Sequence, residues 1–131
     1  MQKFCLLFLF ALLFGATQAS AQKDYCFKNN GLKSDLTVSL TINDSKITGT
    51  FKTEDLGGDV PAETVNFTGT KNGNLLTKKF QAKPPYQLPQ GTKQIIWTLG
   101  KSNLKIPTYD KNYQTNKYSA YTATFDKCEE S

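Results

Sequence analysis

The segment from Leu36 to Ile42 alternates strictly between aliphatic and hydroxyl-bearing side chains. Successive side chains of a β-strand point to opposite faces, so this alternation predicts a strand with one apolar and one polar face. The period of two recurs along most of the chain after residue 22, and no segment there sustains a helical period. We predict eight short strands, at residues 25–28, 36–42, 47–51, 65–69, 75–80, 95–99, from 104 onward, and 121–125.

Turn residues connect these strands in sequence order. The second, fourth and sixth connections are tight, at 43–45, 72–73 and 100–103, whereas the others are predicted to be longer, at 29–34, 54–63, 81–92 and 107–118. In an up-and-down meander, alternate connections lie at opposite ends. The sequence therefore predicts an all-β fold, a single eight-stranded antiparallel up-and-down β-barrel with hairpins at one end and long loops at the other.

The first 21 residues are predicted to be a signal peptide, because an apolar run from Phe4 to Phe14 precedes an A-x-A cleavage site, Ala19-Ser20-Ala21. Cleavage there leaves one domain, residues 22–131, as a secreted or periplasmic protein. Cys26 and Cys128 remain, and an even cysteine count in an oxidising compartment predicts a disulfide. Both lie where the first and last strands meet, so the bond would join the two ends of the sheet.

Gly49 and Gly69 occupy predicted inward positions, each within a Thr-Gly-Thr triplet. One interpretation is structural, since an interior glycine permits the sharp bend that a small barrel needs. The other interpretation is that both glycines leave space for a ligand. Neither glycine has the spacing of a phosphate-binding or dinucleotide-binding loop.

The composition excludes several functions. The chain has a formal net charge of +5 but no arginine and no histidine. Arginine supplies bidentate phosphate and base contacts, so we predict no nucleic-acid partner, and without histidine a Ser-His or Cys-His site is impossible. We expect no enzyme activity, no cofactor and no metal. The acidic cluster of Glu54, Asp55, Asp59 and Glu63 is interpreted as a solvated loop, with a histidine-free hydrolase or a weak calcium site as alternatives.

Aromatic residues in the predicted long loops are the candidate binding residues. Tyr86 lies in the proline-rich Lys-Pro-Pro-Tyr-Gln-Leu-Pro segment, and Tyr109 and Tyr113 lie in the last predicted loop. Flat amphipathic rings on a restricted backbone suit recognition of a partner. Trp97 shares a face with Ile95 and Leu99, so we place it inside the barrel and include it as a ligand residue. The alternative is that the prolines stiffen a connection and the tyrosines cover the barrel end.

These residues lead to one favoured function and two alternatives. We expect a monomeric secreted binding protein that holds a small apolar or amphipathic ligand in the barrel, or an extracellular macromolecule on its loops. An inhibitor of an enzyme is the second hypothesis, and a histidine-free hydrolase is the third. No segment after residue 22 is apolar enough to predict a membrane span.

The chain resembles a family of small secreted bacterial proteins with lipocalin-like, calycin-type meander barrels. The resemblance rests on the segments DYCF, LTINDSKITGTF, NFTGTKNGNLLTKKF, IIWTLGKSNLKI and YSAYTATFDKC, which together cover nearly all of residues 22–131. It implies a meander barrel and supplies no catalytic residues. The chain lacks the Gly-x-Trp of true lipocalins near the predicted mature start, since Trp97 is its single tryptophan.

Overall fold

The computed structural model describes residues 22–31 and 34–129, so the predicted signal peptide lies outside the described residues. Eight antiparallel strands pair in sequence order, and the last pairs with the first to close a barrel. The strands are β1 (Gln22–Asn30), β2 (Ser34–Asn43), β3 (Lys46–Asp55), β4 (Glu63–Asn72), β5 (Leu75–Phe80), β6 (Ile95–Leu99), β7 (Asn103–Asn112) and β8 (Lys117–Lys127). The predicted all-β, eight-stranded antiparallel barrel is confirmed.

The inward-facing side chains form the core, as the alternation predicts. Val38, Leu40 and Ile42 on β2 are buried, and their hydroxyl-bearing neighbours lie on the other face. Trp97 is fully buried, with its ring centroid 6.0 Å from Phe51 and 5.3 Å from Phe67. The predicted interior position of Trp97 is therefore confirmed. Edge-to-face aromatic contacts of this kind favour one fixed packing arrangement of the core.

The two interior glycines allow close approach of neighbouring strands. A Cβ atom at Gly49 would overlap the carbonyl oxygen of Ser39 and the ring of Phe67. A Cβ atom at Gly69 would overlap the carbonyl oxygen of Thr77. The space at both positions is thus occupied by protein atoms, which supports the structural interpretation of the glycines over space kept for a ligand.

A short ladder and a disulfide close the barrel. β1 and β8 pair only at Phe27–Lys127 and Lys28–Asp126. Beside this ladder, Cys26 and Cys128 are bonded, with their Cα atoms 5.4 Å apart, as the sequence predicts. A cross-link that closes a loop of about 100 residues stabilises a chain by up to about 4.7 kcal/mol, because it lowers the entropy of the unfolded state. The disulfide indicates an oxidising environment, extracellular or periplasmic.

Two of the four predicted long connections are short, which corrects the predicted asymmetry between the barrel ends. β7 continues to Asn112 and β8 begins at Lys117, so residues 113–116 form a turn where a loop over 107–118 was predicted. β1 ends at Asn30 and β2 begins at Ser34, where a loop over 29–34 was predicted. Pro107 suggested a loop, but proline is compatible with a strand where its missing N–H faces away from the paired neighbour. The long connections are residues 56–62 and 81–94.

None of the residues that the structure describes belongs to a helix long and apolar enough to cross a membrane.

Candidate functional site

The connection from β5 to β6 covers one end of the barrel, and we call residues 81–94 the plug segment. Its Tyr86 ring stacks on Phe51, with centroids 5.1 Å apart and planes 13° apart. The indole N–H of Trp97 donates a hydrogen bond to the Tyr86 hydroxyl over 3.0 Å. Tyr86 therefore supplies the acceptor that a buried tryptophan N–H requires. Burial raises the pKa of Tyr86 to about 12, and the hydrogen bond from Trp97 opposes that rise.

Three side chains from two strands hold the plug segment in place. The Thr53 hydroxyl donates to the carbonyl oxygen of Pro85 over 3.2 Å, and the Thr108 hydroxyl donates to that of Gln87 over 2.6 Å. The Tyr109 hydroxyl donates to the Gln87 side-chain oxygen over 2.7 Å. Because β3 and β7 both contribute, the plug segment is fixed to two walls of the barrel.

An open cavity of about 270 Å³ lies beside the plug segment, and we call it the mouth cavity. Its apolar lining comes from strands β2, β3, β7 and β8 and from Tyr86 of the plug segment. The lining residues are Leu36, Phe51, Tyr86, Ile106, Tyr121, Ala123 and Phe125, with Asn29, Thr108, Thr122 and Thr124 supplying polar atoms. Tyr121 is 53% exposed although it points to the inward side of β8, so this apolar surface is open to solvent.

Lys78 is a buried lysine that the sequence analysis did not single out. Its side chain is 5% exposed, and its Nζ lies 3.9 Å from the Trp97 ring centroid and 4.3 Å from that of Phe67. Within the described residues this Nζ has no hydrogen-bond partner. Burial lowers the pKa of Lys78 to about 6, while the attraction of an ammonium to both rings acts in the opposite direction. The sequence pattern could have shown that Lys78 faces inward, because alternation places it on the same face of the strand as Leu76 and Phe80.

The structure brings three of the four candidate binding residues together. Trp97 and Tyr86 share a hydrogen bond, and Tyr109 reaches the plug segment through Gln87. Tyr113 is separate from this group, in the turn between β7 and β8, and is 84% exposed. Lys111 lies beside it, with its Nζ 5.4 Å from the Tyr113 ring centroid. Sequence analysis placed Tyr121 and Ala123 in the last predicted strand, 121–125, and did not single them out as candidate binding residues.

The acidic cluster has structural roles. One Asp55 carboxylate oxygen accepts hydrogen bonds from the backbone N–H groups of Asp59 and Val60, at 3.1 and 3.4 Å. Glu54 pairs with Lys52 at 3.2 Å. Over residues 22–31 and 34–129, no group of three or more histidine, cysteine, aspartate or glutamate side chains could hold a metal ion. The Asp55 carboxylate therefore supports the connection from β3 to β4.

Comparison with known proteins yields no match to a family model, to a curated protein or to a solved structure.

Proposed function

We propose that this chain is an exported, lipocalin-like, non-catalytic binding protein that takes an apolar or amphipathic group of its partner into the mouth cavity. The observation that carries the proposal is the open apolar lining around Phe51, Tyr86 and Tyr121. In a soluble protein, a concave apolar surface with a few polar atoms is the usual character of a binding site. Residues 1–21 serve as the export signal in this proposal.

The size of the cavity limits what can enter. Its volume of about 270 Å³ lies just below the range of about 300–1,000 Å³ that is usual for small-molecule sites. Below the cavity, Phe51, Phe67 and Trp97 are buried against one another, and Tyr86 covers them. A long ligand in a deep interior is therefore disfavoured. A compact group, such as one ring or one branched side chain, fits the available space.

Binding is favoured over catalysis by the chemistry of the site. Among the residues that the structure describes, the mouth cavity is lined by aliphatic, aromatic, hydroxyl and amide side chains and by no carboxylate or amine. General acid or base catalysis at neutral pH needs a titratable group positioned at the reacting atoms. The cavity residues instead offer apolar contact area and a few hydrogen bonds, which suffice for recognition.

The proposal is tested with 1-anilinonaphthalene-8-sulfonate, an amphipathic aromatic probe whose fluorescence rises in apolar surroundings. Ala123→Leu fills part of the cavity from β8, and the matched control Ala120→Leu adds the same atoms to an exposed position on that strand. We expect Ala123→Leu to weaken probe binding at least tenfold and Ala120→Leu to leave it unchanged. Equal binding by wild type and Ala123→Leu, with both proteins folded, would refute the mouth cavity as the binding site.

A further inference from the structure

β8 is longer than the part of it that pairs with β1 to close the barrel. Pairing between β1 and β8 ends at Lys28–Asp126, and β1 itself ends at Asn30. β8 runs back to Lys117, so residues 117–123 have β7 on one side and no strand on the other among the described residues. We call residues 117–123 the free edge. A strand with one unpaired edge is a template for another extended chain.

The hydrogen bonds at the barrel closure show which backbone groups face the free edge. The Asn29 side-chain amide donates to the carbonyl oxygen of Thr124 over 3.0 Å, and the N–H of Cys128 donates to the carbonyl oxygen of Cys26 over 3.0 Å. The N–H and C=O groups of one residue point to the same side of a strand, and the side alternates along it. The backbone groups of Tyr118, Ala120 and Thr122 therefore point outward at the free edge.

The opposite edge of the same hairpin is protected. The backbone groups of Thr122 point away from β7, so those of its cross-strand partner Pro107 point away from β8. Proline has no N–H group, so this outer edge of β7 lacks a donor at that position. The plug segment covers that side further, since Thr108 and Tyr109 both bond to Gln87. Proline and a covering loop are common protections of a sheet edge. No residue between Lys117 and Ala123 is a proline, and the free edge has no such cover in the described chain.

The mouth cavity lies on the inward face beside the free edge. Tyr121 and Ala123 line it, and they are the inward-facing residues of the free edge nearest the closure. A strand added here would direct every second side chain to that face, because side chains alternate in a strand. The cavity would then receive one large apolar side chain, while its neighbours in the added strand would remain in solvent.

Charge at the ends of the free edge favours an acidic partner. Lys111 and Lys117 lie at the hairpin end, and Lys28 and Lys127 lie at the closure. The one ion pair among the described residues joins Lys52 to Glu54, so these four lysines have no carboxylate partner in that part of the chain. Over residues 22–31 and 34–129, they outnumber the nearby carboxylates, which belong to Asp110, Asp126 and Glu129.

We propose that the free edge binds an extended acidic peptide segment of another protein, which pairs with β8 and places one large apolar residue in the mouth cavity. Backbone pairing gives such a complex affinity, and the pocket for one side chain gives it specificity. This inference rests on the proposed function, because it uses the same cavity, and it identifies the partner as a polypeptide.

The test uses Ala120→Pro, which removes one outward N–H from the free edge while leaving the ladder to β7 intact. A displayed library of short random peptides is selected against the disulfide-bonded wild-type protein. Retention of the enriched peptides is then measured on wild type, Ala120→Pro, Ala120→Leu and Ala123→Leu. We expect enriched sequences with acidic residues around one large apolar residue. Their affinity should fall at least tenfold for Ala120→Pro and for Ala123→Leu, and much less for Ala120→Leu, which keeps the N–H group.

The anilinonaphthalene probe separates failure of this inference from failure of the proposed function. If Ala120→Pro and wild type retain the same peptides equally, or if no peptide is enriched, the peptide inference is wrong while probe binding still reports on the cavity. A wild-type dimer by sedimentation that Ala120→Pro converts to a monomer would assign the free edge to a second copy, which also overturns the proposal. Unchanged thermal unfolding of Ala120→Pro confirms that the variant is folded.

Discussion

The interior of the barrel and its mouth are built from the same kinds of side chain, yet they differ in how completely those side chains are covered. Around Trp97, the rings of Phe51 on β3 and Phe67 on β4 contact the indole, and the indole N–H has its acceptor. At the mouth, Tyr121 faces inward but remains half exposed beside an open cavity. Burial in the interior therefore serves stability, whereas exposed apolar surface at the mouth is available for binding.

The largest expected effect is on the interior. Trp97→Ala removes a fully buried indole, and it should lower the free energy of unfolding by about 3 to 5 kcal/mol. Urea denaturation followed by circular dichroism measures the loss. Ile96→Ala on the same strand is the matched control, since Ile96 faces outward, and it should change stability by less than about 1 kcal/mol. Equal losses for both variants would show that β6 does not place Trp97 in the core.

Lys78→Met should stabilise the protein in a pH-dependent way. The pKa of Lys78 is about 6 in the folded barrel against 10.5 ordinarily, so folding releases a proton between these values and stability rises with pH across that window. Methionine does not titrate, so the replacement removes the free-energy cost of releasing that proton on folding. We expect the free energy of unfolding to rise by roughly 3 kcal/mol near pH 7, after the contribution of the two rings is discounted.

The gain from Lys78→Met should be largest below pH 6 and should disappear above about pH 10.5. Urea denaturation of wild type and variant from pH 5 to pH 10 measures it. Lys79→Met, at an exposed outward position of the same strand, should show no such trend. A gain independent of pH would mean that Lys78 is protonated throughout in the folded state.

A smaller effect is expected where the interior meets the plug segment. Tyr86→Phe keeps the stacking on Phe51 but leaves the Trp97 N–H without its acceptor, which should cost about 1 to 2 kcal/mol. Tyr109→Phe is the control, because its bond to Gln87 is exposed and should contribute less. Thermal unfolding of the two variants ranks them. A larger loss for Tyr109→Phe would place the main support of the plug segment at β7.

The smallest effect on stability is expected at the mouth. Tyr121→Ser removes an apolar ring that is half exposed, so stability should change by less than about 1 kcal/mol. Binding of the anilinonaphthalene probe should nevertheless weaken at least tenfold, because the ring lines the mouth cavity. The same change at exposed Tyr113, which does not line the cavity, should leave probe binding intact.

Sequence reasoning predicts the barrel well because each strand has one buried face, which makes the alternation strong. It also predicts the disulfide, since strand order places Cys26 beside Cys128. Local patterns could not show that β7 continues through Pro107, because that depends on which side of the strand its nitrogen faces in the sheet. They also could not show that Tyr86 folds back onto Phe51, since this contact forms only after the barrel creates the space that the plug segment covers.

The most direct test of binding at the mouth is a map of amide chemical shifts of the ¹⁵N-labelled, disulfide-bonded protein during titration with the anilinonaphthalene probe. We predict that the largest shifts occur at Leu36 and from Tyr121 to Phe125, which line the mouth cavity. Lys101 and Ser102, in the tight turn between β6 and β7, should remain unperturbed. Saturable shifts confined to that turn, with none along β8, would contradict the account.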